Sequence, residues 1–265
     1  MLKTISRETK EAFATEYKCA MTAVADDEGY PHISFITTIM AKNETVLTSG
    51  EFIKGLSKGW IEQKKKIGFI VMTLDKKWWT GTADWTHKTN TGEDYEMYNQ
   101  IPMFRYNTYL GIHMVHYYDL AEVSEGRKLD MAGIIANAIG NIIIKPFFNN
   151  KNAPEALSAW SYELMKNIAS LKFISFIGED GYPKIYPVVQ AQACNKGRIL
   201  IPLHPYGNEL RALKTGMKVA IMGSTLSMEN VLIKGTFTRK GNAFGVLDIT
   251  RIYNSLPPKH GYIYP

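Results

Sequence analysis

Lys54 and Lys58 stand four positions apart in a stretch of helical composition, residues 52–66, a spacing that would put both ammonium groups on one helix face. Just upstream, Thr48 and Ser49 close a short apolar run that begins at Val46. An ammonium is a point charge suited to phosphate, and neighbouring hydroxyls add hydrogen bonds. The four residues therefore compose a candidate anion site; the alternative is a pair of solvated surface lysines. Arg211, with His204 and Asn208 close by, offers a comparable set later in the chain. Gly81 and Gly235 fall inside strand-like runs, where a glycine marks either a close ligand or a bulge. Trp78, Trp79 and Trp85 share one hairpin and serve either core packing or stacking on a flat ring. His113 and His116 lie in an extended run at a spacing that points them to opposite faces, which argues against a shared metal. His87 borders an aromatic segment and is a candidate for substrate contact or a plain exposed side chain. No nucleophile–base triad, carboxylate pair or phosphate loop has a supporting context.

The elements that would position these residues occur twice. Asp27-Glu28-Gly29-Tyr30-Pro31-His32-Ile33 returns as Glu179-Asp180-Gly181-Tyr182-Pro183-Lys184-Ile185. Each copy runs on in the same order. A β-rich stretch comes first (34–40 and 186–193), then a polar tip (42–44 and 195–197) and a short apolar strand (46–48 and 199–201). A basic helical stretch, a further strand and a Gly-Thr strand follow, the last at Gly81-Thr82 and Gly235-Thr236. Such ordered repetition governs the fold assignment. Residues 1–125 read as the first repeat, 126–156 as a helical connector and 157–265 as the second repeat. The first repeat carries an inserted segment, 86–109, rich in Tyr, Asn, Met and acids. Short strands with one or two short helices per copy predict a mainly β fold, α+β in detail, built of two small barrels forming a pseudo-dimer with a site at its seam. The connector's apolar, small-residue core, 132–144, predicts a helix packed in that seam.

At 265 residues and 45% apolar composition, two ordinary domains can bury cores without crosslinks. Cys19 and Cys194 match no metal spacing and read as free thiols of a reducing, cytoplasmic compartment. Residues 131–148 form the longest apolar stretch, interrupted by Asn137, Asn141, Lys145 and Pro146, so no membrane span and no membrane partner are expected. The first residues show no signal-like apolar core. The net charge of +6 suits an anionic small ligand, while the run Lys64-Lys65-Lys66 reads as a solvated helix end. No basic helix interleaved with aromatics points to nucleic acid.

Gly-x-Pro leading into a strand, a strand ending in Thr-Ser, a lysine-bearing short helix and a strand pair with an internal glycine resemble the FMN-binding split barrel of the pyridoxamine 5′-phosphate oxidase superfamily. The resemblance spans 19–125 and 171–261. It implies FMN as cofactor, held by Thr48, Ser49, Lys54 and Lys58, with Ser34, Phe35, Ile36, Thr37 and Thr38 lining the ring. Trp79 and Gly81 would lie beside them. In the second copy, Tyr186, Pro187, Val188, Val189 and Gln190 would line the ring, and His204, Asn208 and Arg211 would serve the phosphate. The insertion would act as wall or lid, with Tyr95, Tyr98, Tyr106 and Tyr109 either stacking a flat substrate or only sealing the groove. Ser34 replaces the family's arginine, Phe52-Ile53-Lys54 or Leu56-Ser57-Lys58 replaces its Ser-Arg-Lys run, and 256–265 lacks its terminal Trp and Arg-x-Arg. These departures argue against pyridoxamine phosphate as substrate. The resemblance implies an FMN-dependent oxidoreductase taking electrons from a nicotinamide donor to a small acceptor. The alternative is a non-catalytic protein of the same fold that binds flavin, haem or a deazaflavin. Either a monomer or a homodimer is compatible with the duplication.

Overall fold

The computed structural model describes residues 1–52, 54–106, 111–149, 153–225, 229–254 and 261–264. The first repeat runs α1 (Arg7–Ala14), β1 (Lys18–Ala25), β2 (Pro31–Phe35), β3 (Met40–Ala41), β4 (Val46–Glu51), α2 (Leu56–Lys64), β5 (Lys66–Thr73) and β6 (Lys77–Thr89). It continues with α3 (Glu93–Gln100), α4 (Pro102–Tyr106), β7 (Met114–Val123) and β8 (Arg127–Lys128). After α5 (Met131–Phe148) and α6 (Ala159–Lys166), the second repeat places β9 (Leu171–Ile177), β10 (Pro183–Pro187), β11 (Gln192–Asn195) and β12 (Arg198–Pro202). A 3-10 turn, Glu209–Ala212, leads to β13 (Lys218–Ser224), β14 (Asn230–Lys240), β15 (Phe244–Asn254) and β16 (Gly261–Tyr264).

The expected duplication is present in the strand order. One sheet reads β2-β1-β5-β6-β7-β4-β3 with β8 on β6, and the other reads β10-β9-β13-β14-β15-β12-β11 with β16 on β15. The two orders are identical position for position. In each, the outermost strands are consecutive in the chain. Seven flat strands would separate those edges by about 29 Å. The links 36–39 and 188–191 reach at most about 18 Å, so each sheet must curl until its edges approach. Matching side chains fix both links. Thr38 Oγ1 donates to the Gly50 carbonyl at 2.8 Å, and Gln190 Nε2 donates to the Pro202 carbonyl at 3.0 Å.

Contacts divide the chain into two compact units. Unit 1 comprises Met1–Asp27, Ser34–Leu129 and Glu179–Lys184; unit 2 comprises Glu28–Ile33, Asp130–Gly178 and Ile185–Pro265. In unit 1 the core gathers Phe13 of α1, Phe69 of β5 and Trp79 of β6. The Phe13 ring meets the other two edge-on at centroid distances of 6.2 and 5.9 Å. Ser6 caps α1, its hydroxyl accepting from the Thr9 amide. Strand glycines sit where backbones nearly touch: a Cβ on Gly81 would lie 2.3 Å from the Glu122 carbonyl, and one on Gly235 would lie 2.1 Å from that of Asp248. Both lie at or beside a register shift, as bulge glycines do.

Several expected bounds shift. The strand expected over 33–40 is broken by the 36–39 link, which takes Thr37 and Thr38 out of the ladder. The helix expected over 52–66 begins only at Leu56, because Gly55 holds extended backbone as its N-cap. In the second repeat the short helix expected over 207–213 is a single 3-10 turn. The helix expected over 132–144 is present and longer, Met131–Phe148; although Asn137, Asn141, Lys145 and Pro146 interrupt its apolar run, it has a mean hydropathy of 1.5 and is apolar and long enough to cross a membrane. Asp130 caps it from the N-terminal side, and Pro146 falls in its last turn.

Candidate functional site

The sequence-predicted residues of the first repeat separate into two groups. Lys54 precedes α2 and is exposed, so it does not share a helix face with Lys58, the correction that follows from the late start of α2. Ile53 and Tyr109 lie outside the described residues, as do 256–260 of the C-terminal stretch. Phe35 is exposed, and Ser34, Ile36 and Thr37 are half-buried along the end of β2 and its link. Trp79 is packed into the core against Phe13, and its face has no surface left for a ligand ring. The remaining residues, Thr38, Thr48, Ser49 and Lys58, are all buried.

Around them unit 1 builds a buried polar cluster, called the chamber below, from α2, β4, β6 and β7. Register pairs Ser49 of β4 with His116 of β7, and Leu47 with Tyr118. Alternation along β7 therefore sends both His116 and Tyr118 inward. The Ser49 and Tyr118 hydroxyls share a hydrogen bond of 3.0 Å. His116 Nδ1 accepts from the indole N–H of Trp85 at 3.0 Å, which fixes the tautomer. Its Nε2–H then donates to the Glu51 carboxylate at 2.6 Å. Lys58 enters from α2 at 3% exposure, and its ammonium has no hydrogen-bond partner. At the rim, Lys88 of β6 pairs with Glu62 of α2 at 2.6 Å.

The charges of the chamber depend on one another. Burial lowers the Lys58 pKa from its ordinary value, and the carboxylates of Glu51 and Glu62 oppose that shift. Burial also lowers the His116 pKa, against the hydrogen bond to Glu51, so the ring is neutral near pH 7. For Glu51, burial acts upward, but the His116 hydrogen bond and the Lys58 charge outweigh it and the net shift is downward. Glu51 is thus a buried carboxylate, and its charge acts on the buried Lys58 amine without a hydrogen bond between them.

The insertion closes the other flank. Tyr98 of α3 is fully buried; its O–H donates to the Thr38 carbonyl at 2.8 Å and accepts from the Thr48 hydroxyl at 2.9 Å. A phenol has one proton, so the Thr48 proton must be directed at Tyr98. Thr38, which donates to Gly50, and Thr48 are therefore both committed within the fold. Among the insertion's other described rings, Phe104 is buried and stacks on Tyr98 at 5.9 Å. Tyr95 packs beside the Tyr98–Phe104 cluster, and His87 stacks on Tyr117 at 4.3 Å. His113 precedes β7 and is exposed, on the opposite side from His116.

Unit 2 lacks this chamber. The matching links align Gly50 with Pro202, so Ser49 corresponds to Ile201 and Glu51 to Leu203. Strand pairing then aligns His116 with Gly245, Tyr118 with Leu247 and Trp85 with Phe237. None of the five aligned positions carries a polar side chain in unit 2, and the Phe237 ring occupies the place a Cβ on Gly245 would need. Arg211 is exposed and donates to Asn208 at 2.9 Å, while His204 is exposed beside Asn137. Tyr186 and Pro187 lie in β10, and Val188, Val189 and Gln190 form the buried link. A cavity of about 560 Å³ in unit 2, lined by Trp160, Glu163, Lys166 and Glu229 among others, contains none of the residues expected from sequence. Among the described residues no cluster of His, Cys, Asp or Glu could hold a metal.

Sequence reasoning found Ser49 and Lys58 but missed Glu51, Trp85, His116 and Tyr118 as a group. What unites them is the antiparallel pairing of β4 with β7, which the order of the repeated segments does not by itself specify.

No family model matches the sequence, and no curated protein matches it. Solved structures are similar to it over about half its length. HupZ of Group A Streptococcus has 16% identity over 47% of this chain and 98% of its own, with a TM-score of 0.38. An FMN-binding protein of Syntrophomonas wolfei has 9% identity over 45% and 84%, with a TM-score of 0.39. An FAD-binding protein of Mesorhizobium loti has 14% identity over 48% and 95%, with a TM-score of 0.33.

Proposed function

We propose that this chain binds a flavin nucleotide, FMN, through unit 1 alone, with the phosphate directed to Lys58, and that it uses the flavin for electron transfer from a nicotinamide donor to a small acceptor. The observation that carries the reading is the buried Lys58 ammonium without a hydrogen-bond partner. A buried cation in that state is costly, and an anion that supplies hydrogen bonds relieves the cost. Lys58 also stands on the short helix to which the sequence resemblance assigns the phosphate.

The fit is uneven, and it dictates how binding would proceed. Lys58 suits a phosphate. Glu51 opposes one, and the Thr38 and Thr48 hydroxyls are committed to Gly50 and Tyr98. Binding would therefore need local opening around α2 and α3, an event drawn from the low-stability end of the structure. The bound flavin would supply the redox chemistry; the protein's part would be to anchor the phosphate at Lys58 and to hold His116 neutral beside Glu51. Unit 2, whose matching positions are apolar, would serve as a structural partner.

The test is the visible absorption of the purified protein followed by FMN titration. Wild type should take up one FMN per chain. Lys58→Met should weaken binding at least tenfold, while Lys54→Ala and Arg211→Ala should leave it within twofold. A wild-type protein that neither carries nor takes up flavin would sink the reading. Loss of binding in Arg211→Ala with none in Lys58→Met would move the site to unit 2.

A further inference from the structure

Helix α5 carries a broad exposed apolar face. It packs inward through Ile134, Ala138 and Asn141, all buried, and Asn141 donates to the Gln190 carbonyl at 2.8 Å; Asn137, half-buried, donates to the Gly133 carbonyl of its own helix. Most of its large apolar side chains face outward. Ile135, Ile139, Ile142, Ile143 and Phe147 are 47%, 57%, 70%, 71% and 83% exposed. At 100° per residue, these five with Met131 cover an arc of about 160°. A helix meeting only water shows the opposite pattern.

We infer that this face is the contact surface for a second copy of the chain, packed α5 against α5 about a two-fold axis. The surface is self-complementary. The ridge of Ile139 and Ile143 runs beside a groove of about 220 Å³ lined by Ala136, Asn137, Gly140 and Ile144 of α5 and by Phe244 of β15, apolar except for the Asn137 amide. A two-fold axis sets the ridge of each copy into the groove of the other, as an isologous interface requires. The small side chains at Ala136 and Gly140 are what let the ridge enter. Charge does not oppose the pairing: α5 contains no acid and one lysine, Lys145, so the net charge of +6 is carried elsewhere. The five exposed side chains present about 500 Å² of apolar area, at the upper end of what monomers leave exposed. Two copies would bury about 1,000 Å², the lower bound for a specific pair. This inference is independent of flavin binding.

Sedimentation velocity of the full chain, from micromolar to submillimolar concentration, tests it. Wild type should be a dimer. Ile139→Glu and Ile143→Glu should each raise the dissociation constant at least a hundredfold. Both positions are exposed, so the variants should keep the wild-type circular dichroism. Ile168→Glu, exposed elsewhere in unit 2, should leave the dimer intact. As a second measurement, Ile139→Cys should form an interchain disulfide under mild oxidation. A monomeric wild type, or a dimer unchanged in both glutamate variants, overturns the inference. So does a monomer that sediments with phosphatidylglycerol vesicles and loses that property in Ile139→Glu, an outcome that would assign the face to a lipid surface.

Discussion

His116 and Glu51 are joined across 2.6 Å inside unit 1, with the imidazole as donor and the carboxylate as acceptor. Two carboxylates among the described residues oppose the lowering of the Lys58 pKa: Glu51, which is buried, and Glu62, which is half-buried and pairs with Lys88. Removing one member of a buried charge pair leaves the other uncompensated, whereas replacing both with neutral groups is often neutral. Glu51→Gln should therefore destabilise the protein by about 3 kcal/mol. Lys58→Met should recover more than half of that loss in the double variant. Urea unfolding of the two single variants and the double variant measures the coupling; additive losses would mean that the two charges do not sense one another.

The same chamber sets an acid limit. His116 has a lowered folded pKa, so the unfolded state binds more protons below the ordinary histidine value, about 6.5. Glu51 is lowered too, so the unfolded state again binds more protons below the ordinary carboxylate range. Both stabilising contributions are complete above about pH 6.5 and are lost as pH falls. Thermal unfolding should show a midpoint that drops steadily below that pH in wild type and more shallowly in His116→Gln. Equal slopes in the two proteins would remove His116 from the account.

Tyr98→Phe isolates the contribution of the insertion. The ring is retained, but the Thr38 carbonyl and the Thr48 hydroxyl each lose a buried partner. One unsatisfied buried group costs about 1–3 kcal/mol. Denaturant midpoints should fall accordingly, and Thr48 should become free to donate elsewhere. An unchanged midpoint would show that another group takes both hydrogen bonds.

Much of this architecture was legible in the sequence because the repeat preserves order, and order fixes topology. Gly-Tyr-Pro at 29–31 and 181–183 located equivalent strands, and the equivalence of Thr38 with Gln190 holds down to one side-chain hydrogen bond. The chamber was harder to read. Its members come from 49, 51, 58, 85, 116 and 118, and only the antiparallel pairing of β4 with β7 brings them together. Lys54 was misplaced because composition alone runs the helix through Gly55, where the backbone is extended. The outward face of α5 was hidden for a related reason: Asn141 reads as an interruption of the apolar run, but with Ile134 and Ala138 it docks the helix.

Gly245→Ala tests whether unit 2 has filled the space that unit 1 keeps for His116. The added methyl would meet the Phe237 ring at 2.2 Å, well inside contact distance. Overpacking of this kind costs about 1–3 kcal/mol. Phe237→Leu in the same chain should restore part of the loss by vacating the space. A neutral Gly245→Ala would mean that the strand pair can spread without cost.

Lys172 gives unit 2 a pH response opposite in range to that of the chamber. Its ammonium is fully buried and donates to the carbonyls of Asn167, Ser170 and Val189. Burial, with a smaller contribution from the Lys145 charge, pushes its pKa down to about 7. Between that value and the ordinary lysine value the unfolded chain binds the extra proton, so stability should rise with pH through this window. Lys18, pushed down to about 8 by burial, adds a contribution of the same sign over a narrower range. Unfolding free energy measured from pH 7 to 10 should therefore climb in wild type and climb less in Lys172→Met. The variant should also be the more stable protein at pH 7, since it no longer keeps a charge out of water. A flat wild-type profile would mean that the three carbonyls hold Lys172 protonated throughout, with its pKa near the ordinary value.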